Sequence, residues 1–298
     1  MLASIEVIIN EGSGTAGGAD DIKIEVEEAF KSHNLDANIS VAASGEDLLK
    51  IAERAARSDA EIVVAGGGDG TISAVAAALI GTDKTLGVLP LGTLNHFSKD
   101  IGIPPELSEA VKIIAARRTR ELDAAEVNGQ IFINNSSIGL YPQMVKSRER
   151  QQEKLGRSKW HAAFWAAMKI LRRHAFLHIK LNVAGRELKR RTPFVFIGNN
   201  QYKMDFLNIG TRERLDDGQL SVYLLHKSGR RGLLALIART AFGLLRQARD
   251  FEEINTEEIT IETGRDKILV AFDGEVREME TPLCYKIHPK ALRVIVPE

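Results

Sequence analysis

Apolar runs and amphipathic stretches alternate through the first third of the chain. Four short runs rich in aliphatic residues predict strands, and the segments after them have the periodicity of helices. Strands joined by helices through short loops indicate a parallel sheet with both faces covered. The predicted strands are residues 4–10, 37–42, 61–65 and 85–89, and the predicted helices are residues 20–32, 45–57, 71–80 and a fourth from about residue 94.

The pattern changes after about residue 125, where β-type segments follow one another. Asn128-Gly129 between two apolar runs predicts a type I′ hairpin turn. We therefore predict an α/β N-terminal domain with a parallel sheet at residues 1–126 and a mostly antiparallel β-sandwich C-terminal domain at residues 127–286. A last segment, about residues 287–298, could pack back on the first domain. The further predicted strands are residues 176–183, 193–199, 219–225, 258–262, 267–272, 283–288 and 292–296.

Composition excludes several kinds of site and segment. The 298 residues include 40 Lys and Arg against 40 Asp and Glu, so net charge gives no argument for a nucleic-acid partner. The lone cysteine, Cys284, excludes an intramolecular disulfide and a cysteine-based zinc site. The first residues lack the basic and apolar regions of a signal peptide, and no apolar run approaches the roughly eighteen residues of a membrane span. These features predict a cytoplasmic protein.

Two basic stretches interrupt the neutral balance. Residues 142–180 hold ten Lys and Arg against two Glu, and residues 227–250 hold six against one Asp. Each contains a predicted amphipathic helix, and the first of these, at residues 158–175, carries both tryptophans of the chain. Basic helices with aromatic residues can lie in an anionic membrane interface. We predict such docking for residues 158–175, whereas packing on the β domain is favoured for residues 231–249.

Three glycine-containing loops follow predicted strands. Residues 66–71 (GGGDGT) come after the third strand and open a helix, where backbone N–H groups and the helix terminus favour a phosphate. Their spacing fits neither G-x-G-x-x-G nor the P-loop pattern. Residues 10–14 (NEGSG) and 90–95 (PLGTLN) follow the first and fourth strands. Because the carboxyl ends of parallel strands share one edge of a sheet, we expect the three loops to converge on one ligand.

These motifs resemble the diacylglycerol kinase catalytic domain, which sphingosine kinases and bacterial lipid kinases share. The similarity includes GGGDGT, the later PLGTLN, and NEGSG at the first loop. Residues 132–141 (FINNSSIGLY), 214–220 (RLDDGQL) and 272–275 (FDGE) follow in the family's order, so nearly the whole chain takes part. NAD kinases share the GGDGT element but lack the PLGTLN loop.

The resemblance implies ATP-dependent phosphorylation of a lipid hydroxyl with magnesium, at a membrane surface. It makes Glu275 the general base, with Asp273 orienting that base or sharing a metal. For the catalytic magnesium it implies Asp69 and Asp123. For a second ion it implies the Asp217 side chain with the backbone oxygens of Arg214 and Gln219. The implied nucleotide contacts are Asn10, Glu11, Gly12, Ser13, Gly14, Gly67, Gly68, Asp69, Gly70, Thr71, Ile72, Ser73 and Thr93.

One departure keeps alternatives open. His96 stands where the family usually has Asp, and a histidine supplies no negative charge to a metal network. The alternatives are a phosphotransferase similar to NAD kinase that acts on a soluble substrate, and a nucleotide-binding, membrane-associated protein with impaired catalysis. On residues alone, the Asp-Gly of FDGE is equally typical of a hairpin turn. The acceptor lipid stays open, and an exposed strand edge could support a homodimer.

Overall fold

A computed structural model describes residues 4–12, 19–140, 142, 176–183, 185–203, 211–225 and 251–298. Ser13, Gly14 and both predicted basic helices lie outside the described residues. The chain forms two compact units, Met1–Ala124 with His288–Glu298, and Ala125–Ile287. Among the helices that the structure describes, none has the length and hydropathy needed to cross a membrane.

The first unit is a parallel sheet between helices. Its first four strands are β1 (Ile5–Asn10), β2 (Ala37–Ala42), β3 (Ile62–Gly67) and β4 (Thr85–Pro90), and they lie in the order β2-β1-β3-β4. The end of strand β18 (Leu283–Ile295) pairs in parallel with β4. Helix α2 packs on α3, and α1 packs on α5. Both faces of β3 and β4 are buried, which explains their unbroken apolar sequences. The elements are β1 (Ile5–Asn10), α1 (Ala19–Ser32), β2 (Ala37–Ala42), α2 (Gly45–Ala56), β3 (Ile62–Gly67), α3 (Asp69–Leu79), β4 (Thr85–Pro90), α4 (His96–Asp100), α5 (Leu107–Ala116) and β5 (Thr119–Val127), which continues into the second unit.

The second unit is an antiparallel β-sandwich. One sheet has the order β14-β13-β10-β7-β16-β17, and the other contains β18-β15-β8-β9. Apolar residues of both sheets, among them Ile138, Val222, Ile259 and Tyr285, form one buried core. The strands are β6 (Gln130–Phe132), β7 (Asn135–Gly139), β8 (Leu177–Val183), β9 (Arg186–Thr192), β10 (Phe194–Asn199), β11 (Tyr202–Lys203), β12 (Thr211–Arg212), β13 (Leu220–Leu225), β14 (Phe251–Thr256), β15 (Glu258–Thr263), β16 (Lys267–Phe272), β17 (Glu275–Glu280) and β18 (Leu283–Ile295).

The fold class predicted from the sequence is confirmed, and so is the hairpin turn at Asn128-Gly129, whose φ angles are 45° and 81°. Six strands were not predicted: β7, β9, β11, β12, β14 and β17. Strands β11 and β12 have only two residues each, which is too short to show a pattern. Strands β9, β14 and β17 lie at sheet edges, and β9 and β17 carry mostly charged residues, so they lack an apolar run. The predicted fourth helix is two short helices, α4 and α5, and the two last predicted strands are one strand, β18.

Candidate functional site

The loops after β3 and β4 approach each other through their glycines. A Cβ atom on Gly92 would lie 2.3 Å from Gly68 Cα and 2.7 Å from Asn95 Oδ1. A Cβ atom on Gly67 would lie 2.5 Å from Thr71 Oγ1. Real Cβ atoms do not approach so closely, so glycine is required at positions 67 and 92. The two backbones are therefore in contact beside the amino end of α3.

Asn95 fixes the second of these loops and holds an unsatisfied oxygen. Its φ of 50° places it in the left-handed region, and its side-chain amide donates to Pro90 O at 3.0 Å and Gly92 O at 2.7 Å. The residue is buried, and its Oδ1 accepts no hydrogen bond from the described residues. A buried acceptor without a donor is rare in folded proteins. Asn95 was not among the predicted site residues, although PLGTLN contains it.

The loop after β1 also contacts the amino end of α3. Asn10 Nδ2 donates to Thr71 Oγ1 at 3.1 Å, and Asn10 Oδ1 accepts from the Gly12 N–H at 3.2 Å. Glu11 and Gly12 are exposed. The loops after β1, β3 and β4 therefore meet at one edge of the sheet, around the buried side chain of Thr71.

Of the other residues predicted to contact the nucleotide, two are exposed and two are buried. Gly70 and Thr93 are exposed, so a ligand can reach them. Ile72 and Ser73 are buried in α3, and the Ile72 N–H already donates to Gly68 O at 3.1 Å. The Ile72 side chain belongs to the core of the unit and is inaccessible to a nucleotide.

Asp69 begins α3 and binds the start of α4. Its Oδ2 accepts from the His96 N–H at 3.1 Å and lies 3.2 Å from His96 Nδ1, while its Oδ1 accepts from the Phe97 N–H at 3.0 Å. The Asp69 side chain is 18% exposed and that of His96 is 51% exposed. A carboxylate has about four acceptor positions, and these three contacts leave one for a hard cation such as Mg²⁺. His96 thus contacts the acid directly instead of adding a second carboxylate.

Asp123 on β5 is buried, and its Oδ1 accepts from the Lys290 N–H at 2.8 Å. Within the described ranges, no three His, Cys, Asp or Glu side chains form a group suited to a metal ion. A magnesium ion held by Asp69 and Asp123 therefore stays a prediction.

In the second unit, Asp273 and Gly274 form the turn between β16 and β17. Their φ angles are 45° and 90°, and Phe272 pairs with Glu275 across the turn. The Asp273 carboxylate is buried and accepts from three consecutive N–H groups, of Ile133 at 2.8 Å, Asn134 at 2.9 Å and Asn135 at 3.1 Å. FDGE is therefore a hairpin turn, and this geometry favours a positioning role for Asp273 over metal binding.

A buried arginine that was not among the predicted site residues contacts the segment at Ile133 and Asn134 to which Asp273 also binds. Arg212 Nη2 donates to Asn134 Oδ1 at 2.8 Å, and its Nη1 donates to Ile133 O at 2.6 Å and Asn199 O at 3.2 Å. The guanidinium also lies 5.3 Å from the centre of the Tyr202 ring. No local pattern indicates such a residue, because Ile133 and Asn134 lie 79 and 78 positions earlier in the chain.

Glu275 is the first residue of β17 and is exposed. Its Oε2 lies 2.9 Å from Arg277 Nη2, and the described residues give its Oε1 no hydrogen bond. An accessible carboxylate on a rigid hairpin can take a proton from a substrate hydroxyl.

At the predicted second magnesium site, the predicted ligand atoms of Asp217 and Gln219 already contact other groups of the protein. Arg214 Nε lies 2.9 Å from Asp217 Oδ1, and the backbone oxygen of Gln219 accepts from the Asn200 N–H at 3.0 Å. A cation at Asp217 would have to compete with the Arg214 guanidinium, so in this arrangement the donor set does not fit the ion. Asp217 and Gln219 do border a pocket of about 190 Å³, which is also lined by Gln201, Ser221 and Asn255.

Family models match both parts of the chain. The diacylglycerol kinase catalytic domain matches residues 4–127. The YegS C-terminal NAD kinase beta sandwich-like domain matches residues 145–296, which is just over half of the chain.

Two relatives illustrate the similarity. A Klebsiella pneumoniae (strain 342) protein named "Probable lipid kinase YegS-like" is 36% identical over 126 residues, which is 41% of this chain and 42% of that protein. A Staphylococcus haemolyticus (strain JCSC1435) protein, provisionally named a lipid kinase, is 25% identical over 292 residues, or 91% of this chain and 89% of that one.

Solved structures share the fold. A Bacillus anthracis str. Sterne structure described as a diacylglycerol kinase has a TM-score of 0.71 at 20% identity and covers 99% of this chain and 97% of its own. A second structure from the same organism has a TM-score of 0.76 at 22% identity, with the same coverage. Because the two family models together span most of the sequence, the chain belongs to the family that combines a diacylglycerol kinase catalytic domain with a YegS-type C-terminal domain.

Proposed function

We propose that this protein is an ATP-dependent lipid kinase, which transfers the γ-phosphate of ATP to a lipid hydroxyl at a membrane surface. The observation that carries the proposal is the contact of the three loops at the amino end of α3, where Gly67 and Gly92 leave no room for side chains. Such a concentration of glycine backbone at a helix terminus suits the phosphates of a nucleotide. The family membership supports the kinase chemistry, and the names of the relatives support a lipid acceptor.

The chemistry requires few groups. The lipid hydroxyl oxygen forms a bond to the γ-phosphorus, the bond from that phosphorus to the β,γ-bridging oxygen breaks, and ADP leaves. The hydroxyl proton passes to the Glu275 carboxylate, which acts as the general base. Asp69 and Asp123 would hold magnesium, which neutralises negative charge on the phosphates.

A kinase acting on a soluble acceptor is the second candidate. The C-terminal family model carries the description NAD kinase beta sandwich-like, which favours NAD as the soluble substrate to test. A nucleotide-binding protein without turnover is the third, because His96 contacts Asp69 at a position where the family usually has a second carboxylate. For the lipid kinase we also propose peripheral membrane association in the cytoplasm, since the substrate lies in a bilayer.

Radiolabelled phosphate transfer from ATP tests these candidates. The wild type, Glu275→Gln and Glu278→Gln are assayed with magnesium, once on a total lipid extract in mixed micelles and once on NAD. Glu278 is a matched control because it is exposed on the same strand but on its other face. We expect labelled lipid with the wild type and Glu278→Gln and none with Glu275→Gln. Labelled NAD alone would overturn the lipid acceptor, and ATP binding without any transfer would overturn the enzyme.

A further inference from the structure

Two charged residues occupy the core-facing side of β17. Across the hairpin, Glu275 pairs with Phe272, Arg277 with Val270, and Met279 with Ile268. All three partners on β16 belong to the buried core, and Met279 packs against it as well. Side chains of directly paired residues lie on the same face of a sheet. Glu275 and Arg277 therefore continue the face that carries Met279, at the rim of the core, and not the solvent face of the strand.

Three contacts fix the Arg277 guanidinium. Its Nη2 donates to Glu275 Oε2 at 2.9 Å, its Nη1 donates to Gln130 Oε1 at 2.8 Å, and its Cζ lies 5.4 Å from the centre of the Phe272 ring. Gln130 belongs to β6 and Phe272 to β16, so three strands hold one side chain. A planar guanidinium keeps this geometry better than an ammonium group on a flexible stem.

We propose that Arg277 is a positioning residue, which holds the Glu275 carboxylate in one orientation through Oε2 and leaves Oε1 for the proton of the acceptor hydroxyl. The inference rests on the proposed function, in which Glu275 is the base. A general base must lie within hydrogen-bond reach of the proton that it removes, and a displacement of about 1 Å can lower turnover about a hundredfold. Arg277 restricts a side chain that would otherwise rotate at an exposed strand end.

Edge strands also carry inward-pointing charges that prevent pairing with other chains. A residue with that role alone would affect association and stability, and it would leave turnover unchanged. A kinetic measurement therefore distinguishes the positioning of Glu275 from the protection of the sheet edge.

The test compares Arg277→Met with Lys267→Met. Methionine keeps an apolar stem over Phe272 and removes the guanidinium. Lys267 is the matched control, because its ammonium lies 3.6 Å from Glu280 Oε1 at the other end of the same hairpin. We expect Arg277→Met to lower kcat about tenfold, with KM for ATP, ATP affinity and Tm unchanged, and Arg277→Lys to recover part of the loss. Lys267→Met should match the wild type.

Glu275→Gln, assayed in parallel, separates the failure of this inference from that of the proposed function. An active Glu275→Gln variant would remove Glu275 as the base, and the role of Arg277 with it. An inactive Glu275→Gln variant together with wild-type kcat in Arg277→Met would overturn the positioning role alone. A lower kcat accompanied by a lower Tm, or an equal loss in Lys267→Met, would show that Arg277 only stabilises the hairpin.

Discussion

Asp69 and Asp273 are both followed by glycine, yet the two units use them differently. Asp69 starts a helix, contacts two N–H groups and one imidazole, and remains partly exposed. Asp273 occupies a hairpin turn, is buried, and contacts three N–H groups of one neighbouring turn. The first carboxylate keeps an acceptor position for a ligand, whereas the second is committed to the fold. The comparison teaches that an Asp-Gly pair acquires its role from the donors that surround it, so substitutions at the two sites should separate stability from turnover.

Asp273→Asn should have the largest effect on stability. Asparagine tolerates the positive φ, but its amide nitrogen cannot accept, so at least one buried N–H loses its partner. We expect a loss of about 3 kcal/mol in the free energy of unfolding. Urea denaturation measures it, with Asp266→Ala as control, because Asp266 is exposed in the bend before β16, at the opposite end of that strand. A loss below about 1 kcal/mol would contradict a structural role for Asp273.

Asp69→Asn should have the opposite pattern, with a small loss of stability and a large loss of turnover. Removal of one charge from a partly exposed site should cost about 1 kcal/mol of stability. Loss of this carboxylate, which we propose binds the metal ion, should lower kcat about a hundredfold, which corresponds to about 2.7 kcal/mol of activation free energy. Steady-state kinetics and thermal unfolding of the same preparations test both parts. Equal stability losses in Asp69→Asn and Asp273→Asn would abolish the distinction between the two carboxylates.

Gly92→Ala should disturb the loops while leaving both carboxylates in place. The added Cβ would meet the Gly68 backbone, which cannot move aside as a flexible side chain can. Overpacking of this kind costs about 2 kcal/mol. We expect weaker ATP binding by calorimetry and a lower Tm. Gly45→Ala, at the start of α2, is the control, because a Cβ there meets nothing within 4 Å.

The sequence predicts an element when the residues of that element themselves carry the pattern that forms it. The buried strands β3 and β4 were predictable because their apolar runs are continuous, and the loop convergence followed from the parallel order of these strands. The edge strands β9 and β17 were not, because charged residues replace the apolar pattern at sheet edges.

The candidate site follows the same rule. The glycine loops are local motifs, so they could be recognised in the sequence, and their binding of phosphates stays a prediction. The burial of Asp273 depends on N–H groups about 140 positions earlier in the chain. Arg212 likewise meets Asn134 across 78 positions. No local pattern indicates such contacts. For this reason Arg212 was not predicted and Asp273 was predicted without its burial, whereas the glycine loops could be recognised as local motifs.

Tyr285→Phe should have the smallest effect, and it concerns a buried group that can ionise only at high pH. Burial raises the pKa of Tyr285, and the hydrogen bond with Ser136 opposes this increase. The hydroxyl lies 3.1 Å from Ser136 Oγ, which also donates to Ala271 O, so its removal at neutral pH should cost about 1 kcal/mol. Because the pKa is raised on folding, the wild type keeps its full stability below the unfolded pKa of 10.0 and loses stability as the pH rises above it. The phenylalanine variant lacks this loss, so the difference between the two proteins in urea unfolding should shrink above about pH 10. A difference that stays constant from pH 7 to pH 11, about one unit above the ordinary tyrosine pKa, would show that the phenol is accessible to solvent and not part of the core.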